Sequence, residues 1–83
     1  MVRNNRAKGR YELVEDGLTA FADYRIEGGR IVFPHTVVPA ALGGRGVGTR
    51  LVKAALADAE AQGLEIVAEC AFVARVLAEG GAG

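Results

Sequence analysis

Two periodicities divide the chain. Between Arg10 and Val38 apolar residues alternate with polar ones, the pattern of half-buried strands. Arg10–Glu15, with Tyr11, Leu13 and Val14, predicts a first strand. Asp16-Gly17 is a two-residue hairpin signal, because both residue types tolerate positive φ. Leu18–Ile26 predicts a second strand, with Ala20, Ala22, Tyr24 and Ile26 on one face and Thr19, Phe21, Asp23 and Arg25 on the other. Phe21 on the more polar face implies that both sides of the sheet are partly covered. Glu27-Gly28-Gly29 turns the chain into a third strand, Arg30–Val38, rich in β-branched residues. Three strands joined by tight turns make an antiparallel meander.

From Val47 the spacing becomes helical. Val52, Ala55, Leu56 and Ala59 fall at i, i+3, i+4 and i+7, while Arg50, Lys53, Asp58 and Glu60 lie elsewhere on the wheel. The pattern predicts a helix over Arg45–Gln62 that stops at Gly63. Leu64–Ala68 reads as a short apolar strand and Ala71–Glu79 as a second helix. A strand–helix–strand unit over residues 30–68 calls for a right-handed crossover and a last strand parallel to the third. The fold class is therefore mixed α+β, ordered β-β-β-α-β-α: an antiparallel meander followed by a right-handed βαβ unit. Residues 10–79 form one domain. Residues 1–9, with Arg3, Arg6 and Lys8, read as a flexible basic N-terminus, and 80–83 as a flexible tail.

Between the third strand and the long helix lies the most unusual stretch. Glycines occupy positions 43, 44, 46 and 48, with Arg45 among them. A glycine-rich turn that opens a helix leaves main-chain N–H groups free at the positive end of the helix dipole. Residues without a Cβ then let an anion approach the backbone. The natural guest is a phosphate or pyrophosphate. The turn is not a P-loop, because Gly-Lys-Ser/Thr is absent. Arg45 either clamps a phosphate or stands as a solvent-facing cation. The dipole disfavours a cation there by about 0.3–1 kcal/mol, a conflict that an anionic ligand removes.

Composition narrows the classes. Eighty-three residues bury only about 60–65% of their unfolded surface, so the core is thin, and a homodimer is as reasonable as a monomer. A hydrophobic content of 51% with 24% charged residues is globular, and a net charge of zero argues against nucleic-acid and membrane-surface binding. No apolar run reaches the roughly 18 residues of a membrane span, and the first ten residues show no signal-peptide core. The single cysteine cannot form an internal disulfide, so a cytoplasmic location is expected.

Two side chains carry candidate chemistry. Cys70 follows a strand and precedes a helix, where a thiol pKa falls, although Glu69 opposes that if its carboxylate is close. Alternatively it is a small buried hydrophobe. His35, the sole histidine, shares a face with Ile31, Phe33 and Val37 in an alternating strand, which implies half-burial. It is the candidate general base. One Cys and one His give no metal-site spacing, so no metal is expected.

Gly43-Gly44-Arg45-Gly46-Val47-Gly48 resembles the acyl-CoA pyrophosphate loop of the GNAT N-acetyltransferases, written Q/R-x-x-G-x-G/A. Tyr11-Glu12-Leu13, Asp16-Gly17, Ala20 to Tyr24, His35-Thr36-Val37, Pro39, Leu51 to Leu56 and Cys70-Ala71-Phe72-Val73 extend the similarity. Together they resemble the YjdJ-type minimal GNAT family over residues 10–79. The resemblance implies acetyl-CoA as co-substrate and transfer of its acetyl group to an amine on a small molecule or a protein. It places Val37 and Val38 beside the pantetheine arm, and Gly43 to Thr49 (Arg45 and Val47 included) around the pyrophosphate. It makes Cys70 the active-site cysteine. The chain departs from the family pattern at Gly43, Val38, Val76 and Gly80-Gly81.

Overall fold

The computed structural model describes residues 1–80, so the tail expected over 80–83 falls, from Gly81 on, outside the described residues. Seven strands and two helices follow one another: β1 (Val2–Asn5), β2 (Arg10–Glu15), β3 (Leu18–Asp23), β4 (Arg25–Glu27), β5 (Arg30–Phe33), β6 (Thr36–Val37), α1 (Val47–Ala61), β7 (Glu65–Ala68) and α2 (Ala71–Ala78). The strands form two sheets, ordered β1-β2-β3-β6 and β4-β5-β7.

The N-terminus differs from the sequence expectation. Residues 2–5 are not frayed: β1 pairs antiparallel with β2, from Val2 opposite Leu13 to Asn5 opposite Arg10. Val2 packs against the core, and the Asn4 Oδ1 accepts a hydrogen bond from the Tyr24 hydroxyl at 2.6 Å. Outside, Arg3 faces Glu12. Anchored side chains on alternate residues are enough to fix a four-residue edge strand.

The single meander also gives way. The stretch predicted as Leu18–Ile26 is two strands, β3 and β4, and they belong to different sheets. The break is Tyr24, whose N–H turns aside to the Gly9 carbonyl at 2.9 Å. The stretch predicted as Arg30–Val38 also splits, at Pro34-His35. Proline offers no N–H for a ladder. Before that point β5 pairs with β4 and, in parallel, with β7. After it β6 returns to β3, with Val37 opposite Phe21 and Thr36 opposite Ala22.

The core is made where α1 lies on the sheets. Val47, Leu51, Val52, Ala55, Leu56 and Ala59 are buried on one helix face, against Tyr11, Leu13, Ala20 and Ala22 from the first sheet and Ile31 and Phe33 from the second. Val73 and Val76 bring α2 into the same cluster. The outer face of the first sheet carries no helix. Phe21 there is shielded by the Arg10 guanidinium, 4.2 Å from the ring centroid. Helix α1 starts at Val47, two residues after the predicted start at Arg45, because Gly46 holds a left-handed φ of 73°. It ends as expected: Gly63 at φ 74° lets the Leu64 and Gly63 N–H groups close on the Ala59 and Glu60 carbonyls. No described helix is long and apolar enough to cross a membrane.

Candidate functional site

The split of the third strand opens the site. The Phe33 carbonyl is the last acceptor shared with the β7 side, taking the Glu69 and Cys70 N–H groups at 3.1 and 3.0 Å. Beyond it the chains diverge, β6 toward β3 and the other into α2. Because β6 is the last strand of its sheet, one of its edges is unpaired.

The glycine loop closes one end of this gap. After Pro39, a short 3-10 turn over Ala40–Leu42 buries Leu42 and ties the Gly43 N–H to the Ala40 carbonyl. Gly44 and Gly46 then take left-handed φ values of 79° and 73°, which a side chain would strain. The first helical bond runs from the Arg50 N–H to the Gly46 carbonyl at 3.0 Å. The N–H groups of Val47, Gly48 and Thr49 therefore have no acceptor within the helix, and no side chain caps this end.

A cavity of about 240 Å³ lies against these donors, lined by Val38, Leu42, Gly43, Gly44, Gly46, Val47, Gly48, Thr49 and Phe72. Gly48 sets its width. A Cβ there would stand 3.1 Å from both the Phe72 ring and a Val38 methyl, so a side chain would narrow the channel between helix and strand. The Arg75 guanidinium lies 4.9 Å from the Phe72 ring centroid.

Most of the residues named from sequence meet at this cavity: Val38, Gly43, Gly44, Gly46, Val47, Gly48 and Thr49. Three do not. Val37 is exposed on the outer face of the sheet. Arg45 points to the β2–β3 hairpin, hydrogen-bonded to Asp16 and 3.7 Å from Glu15. His35 is not half-buried: its side chain is 59% exposed, with Nε2 2.5 Å from the Asp23 carboxylate. The break at Pro34 removes it from the alternation that placed it with Phe33. Its neighbour Thr36 points the other way and meets Cys70. The structure thus brings Cys70 to Thr36 rather than to His35.

Cys70 occupies the cap position of α2, and its Sγ lies 3.8 Å from the Thr36 Oγ1. Burial pushes the thiol pKa up. Hydrogen bonds from the Val73 N–H, the Thr36 hydroxyl and the Phe72 and Thr36 main chain more than offset this, so the net shift is downward. Glu69 does not intervene, because its carboxylate pairs with Arg25 at 3.1 Å. Leu42, Thr36 and Phe72 contribute without having been singled out for a role. Leu42, the one apolar residue between Ala41 and Gly43, was the available signal for an anchor.

Uncapped main-chain N–H groups next to a gap between diverging strands are an arrangement able to hold an anion with an elongated tail. The family comparison agrees: the model of the GCN5-related N-acetyl-transferases matches residues 10–80, and the chain belongs to that family. Members of that family use acetyl-CoA as acyl donor. No curated protein matches the chain.

Proposed function

We propose that the chain is a minimal, YjdJ-type member that moves an acetyl group from acetyl-CoA to a primary amine. The observation that carries this reading is the divergence after Phe33, which leads directly to the uncapped N–H groups of Val47, Gly48 and Thr49. Two or three charge-assisted N–H···O bonds, each about 1.5–3 kcal/mol, suffice for micromolar retention of a diphosphate before ordering costs. The residues present suit the carrier. The cavity is open to backbone donors, and its walls, Val38, Leu42 and Phe72, are apolar.

Acetyl-CoA supplies an activated thioester carbonyl. The amine nitrogen bonds to that carbon as the carbon–sulfur bond breaks; the amine proton leaves and the carrier sulfur departs as thiol. The chain's part is mainly positioning, with a main-chain N–H at the end of the predicted third strand offered to the developing oxyanion. Cys70 offers a second route through an acetyl-thioester on its own sulfur. His35 serves as general base only for an amine that approaches from the outer face of β6. Acceptor, oligomeric state and a cytoplasmic setting belong to this proposal, with a small molecule or a protein lysine as the amine source.

The test is calorimetric titration with CoA, followed by turnover of acetyl-CoA on a panel of primary amines. Binding with transfer supports the reading, and absence of binding removes it. Burst kinetics lost in Cys70→Ala would select the covalent route. Less than a tenfold loss in His35→Ala would reject a general base, which contributes about 10²–10⁴-fold. One observation favours a second reading, a CoA-binding module with little catalysis: no titratable side chain lines the cavity at the glycine loop. Binding without transfer on any amine selects it.

A further inference from the structure

The glycine loop carries two cations that the cavity does not use. Arg45 sits inside the loop and Arg50 on the first turn of α1, and both reach back to the β2–β3 hairpin. The Arg45 guanidinium donates to the Asp16 carboxylate and lies 3.7 Å from Glu15. Arg50 donates to Glu15 at 2.8 Å. Two carboxylates and two guanidiniums form a closed, electrically neutral cluster at the mouth of a site built for anions.

We infer that this cluster is an exchangeable latch: on binding, Arg45 trades Asp16 for a phosphate of the carrier, and the hairpin carboxylates set how tightly the loop holds it. The inference rests on the acyl-CoA reading of the loop.

Three observations support exchange over a fixed brace. First, the Arg45–Asp16 pair is exposed, its side chains 48% and 60% accessible, whereas Glu15, the partner of Arg50, is 27%. Surface pairs of this kind contribute at most about a fivefold change in an equilibrium. Second, a guanidinium–phosphate contact in a partly desolvated site is worth about tenfold or more. The comparison favours the phosphate. Third, Arg45 lies between Gly44 and Gly46, which line the cavity, so a change of its side-chain rotamer shifts its charge toward the ligand without moving the backbone. Asp16 holds a left-handed φ of 52° in the hairpin turn, so the turn sets its backbone, and its short side chain has less reach than the arginine's.

The test measures CoA affinity in Asp16→Asn and, independently, in Glu15→Gln. Asparagine tolerates the left-handed turn as aspartate does, so the hairpin survives. Asp16→Asn leaves Arg45 with only Glu15 at 3.7 Å, Glu15→Gln takes a partner from both arginines, and each removes one negative charge beside the loop. CoA should bind about two- to fivefold more tightly (about 0.4–1 kcal/mol at 1.4 kcal/mol per decade), with a steeper loss on adding salt. Pantetheine, which has no phosphate, should bind all three proteins alike. Adding Arg45→Ala to Asp16→Asn should abolish the gain. Unchanged or weaker CoA binding in both single variants, with the wild type binding normally, overturns the latch. So does an equal gain for pantetheine. A wild type that binds no CoA would instead remove the loop reading, and the latch with it.

Discussion

Gly46 and Gly63 make a matched pair for testing whether the loop binds through its main chain. Both adopt the same left-handed conformation, φ 73° and 74°. A Cβ on either meets nothing within 4 Å. Gly46→Ala and Gly63→Ala should therefore carry the same backbone penalty, about 1 kcal/mol, with no clash to add. For a domain of this size that is a fall of about 4–8 °C in Tm. The consequences for binding should diverge. The open space beside Gly46 is the space an anion needs to reach the Val47, Gly48 and Thr49 donors, whereas Gly63 closes the opposite end of α1. Displacing a diphosphate from one charge-assisted bond costs about 1.5–3 kcal/mol, so Gly46→Ala should weaken CoA by about tenfold or more while Gly63→Ala leaves it unchanged. Thermal unfolding and calorimetry on the two proteins give both quantities. Equal CoA affinity in the two variants would refute the main-chain cradle, whatever their stabilities.

Three further outcomes follow from other contacts. The buried Tyr11 hydroxyl donates to Asp58 at 2.6 Å, and Asp58 keeps the Gln62 amide when the phenol is removed, so Tyr11→Phe should cost about 0.5–1.5 kcal/mol at neutral pH. Burial, then the Asp58 carboxylate, push the Tyr11 pKa well above its ordinary value; its stabilising effect is full below the unfolded value of about 10 and is lost as pH rises past it, so urea midpoints should fall more steeply above pH 10 in wild type than in Tyr11→Phe. Removing the Thr36 hydroxyl in Thr36→Val should raise the Cys70 pKa and slow thiol alkylation at neutral pH severalfold, read as the iodoacetamide rate. Val2→Asp places a charge on the inward side of β1 and should destabilise by about 1–3 kcal/mol, whereas a frayed terminus would show no change in the denaturation midpoint.

The sequence made the long helix, the parallel last strand and the loop glycines legible because each has a local cause: 3.6-residue periodicity, an apolar run after a C′ glycine, and residues without a Cβ in a row. It did not show that two of the predicted strands each contribute to both sheets. That depends on where Tyr24 and Pro34 send their neighbours' hydrogen bonds, and Gly9, the acceptor for Tyr24, is fifteen residues away. His35 was misplaced for the same reason, since alternation was carried through a break. Arg45 was legible as a cation but not in its partner, because Asp16 is brought to it only by folding.

The departures from the family pattern separate once the structure is considered. Gly43 and Val38 line the cavity, but the donors proposed to hold a diphosphate belong to the main chain, and neither substitution removes one. Val76 is 1% exposed within the core, so valine there is a packing residue, and a polar group at that position would have to leave the core to reach the slot. On the proposed reading the losses therefore fall on proton transfer, and carrier binding is expected to survive them. An enzyme of this composition depends on holding thioester and amine together, and its rate should track the fraction of acceptor present as free amine. Turnover rising with pH toward the acceptor's own pKa, and shifting when an amine of different basicity is used, would bear this out. A profile fixed by the protein across several amines would require a base that the slot does not display.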